Sequence, residues 1–195
     1  MRYDSEHKER TRRKVLSEAA AAIREHGPER ISVADLMAKA GLTHGGFYAH
    51  FKSKDELVSH AISQMFDERY EFFTSCVEGR EPARGLEKYI DHYLSMNHRD
   101  NAHRGCPMPS VSGDLARLPV QARKRFTAGV ERLTHAIAAL LQELQRPDPE
   151  ELAASTLAEM VGALALSRAV AERGTAEHIL KSSRNAINRR LGLSS

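Results

Sequence analysis

Cys106, in the run His103-Arg104-Gly105-Cys106-Pro107, is the residue of this sequence most suited to covalent chemistry. A thiol at the start of a helix and beside basic groups has its thiolate stabilised, which favours reaction with oxidants and electrophiles. With His103 it has the outline of a nucleophile and base, so an all-α thiol enzyme is one reading. However, no third residue offers itself to orient the imidazole. The other readings are a redox or electrophile sensor and a small residue packed at a tight junction. Cys76 falls on the apolar side of a long helix and reads as packing. Two cysteines are too few for a disulfide framework. The ten histidines include no His-x₃-His pair on one helical face, and His98 and His103 fall in a stretch read as loop, so no metal and no cofactor is expected.

A second set of residues suits binding to a polyanion rather than bond-making. Thr43-His44-Gly45-Gly46 fronts a short helical segment that also carries Tyr48. Glycine weakens a helix by roughly 1 kcal/mol relative to alanine, so two in succession make sense where backbone must approach a bulky partner closely. Residues 1–14 hold six Lys or Arg against three acids, an excess of three that equals the net charge of the whole chain. A local basic cluster of this kind favours a polyanion, although many such runs are only solvated faces.

The elements that position these residues are all helical. Apolar residues at Val15, Leu16, Ala19, Ala22 and Ile23 make one stripe on a first helix over residues 5–26, stopped by Gly27-Pro28. Ser32-Val33-Ala34-Asp35 opens a second, short helix that Gly41 ends, and a third is predicted after Thr43 through Phe51. Ser53-Lys54-Asp55-Glu56 caps a long fourth helix with Leu57, Val58, Ala61, Ile62, Met65, Phe66, Phe72 and Phe73 on its apolar face. Further helices are expected from Pro82 to about Met96, over 107–116, from Pro119 to about Leu144, from Pro149 to Glu172 with Asp148 as N-cap, and after Gly174-Thr175, with 97–109 as a loop or junction.

With 195 residues, 41% hydrophobic, 28% charged, 6% aromatic and no Trp, the chain reads as an all-α globular protein, not a disordered one. No apolar run approaches the roughly 18 residues that span a bilayer, and the N-terminal residues lack a secretory signal, so a cytoplasmic location is expected.

The run Gly41-Leu42-Thr43-His44-Gly45-Gly46-Phe47-Tyr48-Ala49-His50-Phe51-Lys52-Ser53-Lys54-Asp55-Glu56-Leu57 resembles the DNA-binding signature of the TetR family of transcriptional repressors. The resemblance implies a helix-turn-helix DNA-binding domain over 1–52 and a helical ligand-binding and dimerisation domain over 53–195. It implies that Thr43 and Tyr48 bond phosphate oxygens, that Lys54 meets phosphate at a helix start, and that His44 and Gly45 face the major groove beside Gly46. His50 either contacts phosphate or fixes the turn, and Arg12 and Arg13 reach the DNA backbone from the first helix. Val33 and Ala34 stand where family members often carry polar or basic residues, which leaves base reading mainly to His44 and Tyr48 and gives DNA shape a larger share.

The same resemblance implies a homodimer formed through helices at about 149–172 and 175–190, a near-palindromic double-stranded operator and a small-molecule effector, with no enzymatic activity. Repression is the first expectation, with activation and thiol-based sensing through Cys106 as alternatives. Met65, Phe66, Phe73, Tyr93, Met96, Cys106, Met108, Phe126, Met160 and Leu164 are the apolar and thiol candidates for the effector site.

Overall fold

The computed structural model describes residues 2–193 and their side chains, other than those of residues 2–5 and 44. Helix α1, Arg2–His26, buries the predicted stripe of Val15, Leu16, Ala19 and Ile23, joined by Ala20. It ends where Gly27 takes φ +84°, a left-handed conformation costly for a residue with a Cβ. Helix α2, Val33–Lys39, is capped by Ser32, whose Oγ accepts from the Asp35 N–H at 3.3 Å. Gly41, at φ +76°, turns the chain out of it.

The third helix departs from expectation. Residues His44–Ala49 form a 3₁₀ turn, and the chain leaves it before Phe51. Two adjacent glycines lower α-helix propensity, and a segment this short gains too few hydrogen bonds to offset that loss. Phe47 and Phe51 are nevertheless both buried, with ring centroids 5.6 Å apart, and anchor the turn from below.

The long helix α3, Lys54–Val77, begins with the predicted capping box. Ser53 Oγ accepts from the Glu56 N–H at 3.1 Å, while the Glu56 carboxylate accepts from the Lys52 N–H at 2.5 Å. Helix α3 is the spine of the fold, packed against α1, against α4 (Pro82–Tyr93) and against α7 (Val120–Glu143). Gly129 of α7 is what lets α7 come this close. A Cβ there would stand 2.2 Å from Phe66 Cγ, inside any van der Waals contact.

Residues 97–109 are more ordered than a loop. Helix α5, Met96–Asp100, leads into a 3₁₀ turn, Ala102–Arg104, and then helix α6, Met108–Val111. Ser95 Oγ caps α5 through the His98 N–H at 3.1 Å, a signal that the Gly and Pro content of the stretch had masked. The single helix expected over 107–116 is divided between α6 and a 3₁₀ turn at Leu115–Arg117. Helices α8, Pro149–Ala169, and α9, Arg173–Leu191, pair with each other and close the fold. Asp148 precedes α8 in a left-handed conformation, φ +47°, and its side chain makes no capping bond. No strand occurs among the described residues, and no helix among them is long and apolar enough to cross a membrane. One hydrophobic core runs from Val15 to Leu193, so packing continues across the 52/53 boundary.

Candidate nucleic-acid interface

The face presented by the 3₁₀ turn is built on inward-facing supports. Arg12 Nη1 donates to the His50 carbonyl oxygen at 2.5 Å, and its guanidinium carbon lies 4.3 Å from the Phe51 ring centroid. Lys14 Nζ donates to the Ala40 carbonyl at 2.9 Å and fixes the end of α2. Lys54 Nζ donates to the Glu29 carbonyl at 2.9 Å and ties the start of α3 to the α1–α2 connection. Thus Arg12 and Lys54, both read from the sequence as phosphate contacts, hold protein backbone here. An ammonium has three donors, so Lys54 keeps two for a partner, whereas Arg12 is turned onto an aromatic face.

On the outer side stand Thr43, Gly45 and Tyr48. Tyr48 is 69% exposed, unusual for a large aromatic, with its ring edge-on to Phe47 at 5.3 Å between centroids. Thr43 is exposed and its hydroxyl makes no capping bond, which leaves it free for an outside acceptor. Gly45 and Gly46 have no internal reason to be glycine. A Cβ on Gly45 would meet nothing within 4 Å, and one on Gly46 would make only ordinary contacts with Met37 Cε at 3.7 Å and Thr43 Oγ1 at 3.8 Å. Neither glycine has positive φ. The His44 side chain lies outside the described residues, so its reading as a base contact rests on the sequence.

His50 is half-buried under this face, with Nδ1 lacking a hydrogen-bond partner. Burial, reinforced by Lys8 and Arg12, pushes its pKa below the ordinary imidazole value, so it is neutral near pH 7. A neutral ring beside a carbonyl held by Arg12 suits the turn-fixing role better than an ionic phosphate contact. Arg13 is exposed on the same end of α1 and lines a shallow surface depression with Glu6, His7 and Arg10.

Residues 15–61 match the bacterial regulatory proteins of the tetR family, and residues 82–182 match the tetracyclin repressor-like C-terminal domain. The chain belongs to the TetR family. It is therefore a DNA-binding transcriptional regulator, with the helix-turn-helix unit at its N-terminal end. It is 29% identical over 84 residues to the transposon Tn10 TetC protein of Escherichia coli, a match covering 43% of each chain. It is 32% identical over 107 residues to the A-factor receptor protein of Streptomyces griseus, covering 53% of this chain and 36% of that one. The chain thus spans less than half the length of either relative in these matches. The crystal structure of E. coli NemR in its reduced form shares the fold, with a TM-score of 0.81 at 15% identity over 92% of this chain and 95% of that one.

The second half of this TetR-family protein places the sequence-read effector candidates in and against its core. Met65, Phe66, Phe73, Tyr93, Cys106, Met108, Met160 and Leu164 are buried in the continuous core, and Met96 and Phe126 pack half-buried against it. A cavity of about 440 Å³ lies between α1, α3, α4 and α5, and none of the ten lines it. Its walls are Arg24, Glu68, Arg69, Phe72, His92, Asn97, His98, Asn101 and Arg104. One signal was available. Arg69 follows Met65 and Phe66 by four and three residues and precedes Phe72 and Phe73 by three and four, so it interrupts the apolar stripe of α3 with a charge.

Cys106 is sealed in this structure, at 0% exposure. It precedes α6 by two residues, and its N–H donates to His98 Nε2 at 3.0 Å. His98, read as a loop residue, is instead a buried member of α5 whose Nδ1 donates to the Tyr93 carbonyl at 2.8 Å. The imidazole that meets Cys106 is thus His98, acting through the backbone, rather than His103 acting on the thiol. Both ring nitrogens of His98 are committed, and burial first, then the charge of Arg69, lowers its pKa to about 3. The arrangement fits a small residue locking a tight junction.

Proposed function

We propose that this protein is a homodimeric, cytoplasmic repressor that inserts the Thr43–Tyr48 face into the major groove of a near-palindromic operator and is released by a small-molecule effector. The observation that carries the DNA-contact reading is the pair Gly45 and Gly46, which the fold itself does not require. Their lack of side chains is useful only to something outside the chain, and the exposed Thr43 and Tyr48 hydroxyls flank them as donors to phosphate oxygens. His44 supplies base contact in this reading, Lys54 adds charge at the start of α3, and Arg13 extends the basic surface along α1.

The dimer reading rests on α8, which is apolar on most of its circumference. Ala153, Leu157, Met160 and Leu164 face the core, yet Leu166 on the outer side is 60% exposed, beside the small exposed Ala154, Ala158 and Ala169. A helix apolar all round requires cover on both faces. Two-fold symmetry then spaces the two DNA-binding turns by about 34–36 Å, one turn of DNA. Release follows if the effector binds more tightly to a form with a different spacing. Thiol oxidation is the weaker route to release, because the Cys106 sulfur has no path to solvent as packed.

Binding of labelled DNA from upstream of the protein's own gene, against a scrambled duplex, tests the reading with Gly45→Ala beside wild type. The variant is expected to fold with equal or slightly greater stability, by up to about 1 kcal/mol, since alanine is the better helix former. Operator affinity should fall at least about tenfold, the equivalent of roughly 1.4 kcal/mol. Wild-type affinity in Gly45→Ala would remove this face from the DNA contact.

A further inference from the structure

The cavity between α1, α3, α4 and α5 contains a buried cation with no ion pair among the described residues. Arg69 is only 4% exposed, yet it forms no ion pair among the described residues, and its Nε and Nη1 have no hydrogen-bond acceptor. Burying a cation without a counter-charge is costly, which is why buried arginines are normally paired. Its near neighbours are aromatic, with Cζ 5.0 Å from the Phe72 ring centroid and 6.0 Å from that of Tyr93. Ring faces offset part of a cation's desolvation, but they do not replace an anion.

The other walls supply no missing negative charge. Glu68 is already engaged by Arg24, Oε2 to Nη2 at 2.5 Å, and Arg104 adds a third guanidinium. His98 is held neutral, first by burial and then by the charge of Arg69. Burial, and the field of Arg69, lowers the pKa of His92 as well. The buried Tyr89 and Tyr93 hydroxyls are held in their neutral form, first by burial, so neither supplies a negative charge, although Tyr89 lies beside Arg69 and Tyr93 beside Cys106. Three cations face one carboxylate, around a space of about 440 Å³, within the ordinary range for a small-molecule site. One wall is aromatic, formed by Phe72 and His92 with ring centroids 4.2 Å apart and planes inclined at 39°.

We propose that this cavity is the effector site and that it takes a small aromatic carboxylate, its head group paired with Arg69 and its ring laid against Phe72 and His92. A planar carboxylate matches the planar guanidinium, and Asn97, Asn101 and Arg104 line the same space as polar partners for further oxygens on the ligand. This deepens the ligand-released reading above and rests on it for the word effector. The site also touches the DNA-binding unit. Arg24, in the last turn of α1, lines the cavity, bonds Glu68, and donates to the Met65 and His103 carbonyls at 3.4 Å. A ligand that drew Arg104 or the Arg24–Glu68 pair toward its carboxylate would shift the end of α1, and with it the DNA-binding turn that α1 supports through Arg12 and Lys14.

The test is calorimetric titration of the full chain, without DNA, with benzoate and 1-naphthoate, their neutral amides, and inorganic phosphate. Either acid is expected to bind at least about tenfold more tightly than its amide, as a lost charge-assisted pair implies. Arg69→Met should abolish that difference while melting at or above the wild-type temperature, since it removes an unpaired buried charge. Equal binding of acid and amide, binding of phosphate alone, or no binding by either acid would overturn the proposal, and the acid–amide comparison on the wild-type chain needs no variant. Operator release is read separately. Acid-selective, Arg69-dependent binding without release would leave the carboxylate site standing and remove ligand-released repression.

Discussion

Arg12 and Arg13 are chemically identical neighbours with opposite fates, because successive residues on a helix are rotated by about 100°. One guanidinium turns onto the His50 carbonyl and the Phe51 ring, and the other remains at the surface. Their alanine variants should therefore fail differently. Arg12→Ala is expected to lower stability by about 1–2 kcal/mol through the lost hydrogen bond and ring contact. Arg13→Ala should leave the melting temperature unchanged and reduce the slope of log affinity against log salt by about one. Melting curves and a salt series for operator binding check both, and an unchanged melting point in Arg12→Ala would return that residue to the DNA contact. The sequence could name two basic residues but not say which one faced in.

At the scale of elements, the α4–α5–α6 junction stakes stability on keeping His98 neutral. Its pKa of about 3, set by burial and then by Arg69, lies far below that of an exposed imidazole, so the unfolded chain binds more protons than the folded one across the interval between them. Stability is fully present above about pH 6.5 and declines as pH falls toward the folded value, by up to about 1.4 kcal/mol per unit. His92, His50 and His60 are also lowered, each chiefly by burial, and act in the same direction. Urea unfolding at pH 7.5 and pH 5.0 should show a smaller loss in His98→Gln than in wild type, and equal losses would mean that His98 is not the group being protected. The histidine and its Ser95 cap were visible in the sequence. Their burial was not, because it follows from α8 packing against α5, where Arg168 Nη2 donates to the His98 carbonyl at 2.9 Å.

For the whole molecule, the exposed side of α8 is the surface that the proposed dimer would cover. Leu166→Glu places a charge where the proposed partner would bury a leucine, so dimerisation should weaken by about a hundredfold or more. Sedimentation at micromolar concentration is expected to show monomer, with operator affinity falling toward that for an isolated half-site. A variant that sediments as a dimer would place the interface elsewhere. Helical spacing made α8 and α9 legible as long helices, yet which face of α8 stayed uncovered depended on where α7 and α9 packed.

The sequence by itself determined the all-α class, the helix starts marked by Ser32 and Ser53, and the family, through the run from Gly41 to Leu57. Those features are local: a cap, a glycine stop and an apolar stripe act within one or two turns of chain. Tertiary structure decided what local rules do not reach. It turned Arg12 onto the His50 carbonyl and the Phe51 ring, placed most of the effector candidates in the core, and sealed Cys106. It also gathered Arg24, Arg69 and Arg104, up to 80 positions apart in the chain, around one cavity. A buried charge is recognised only when its surroundings are known, since the cost of burial depends on which distant groups come close enough to pair with it.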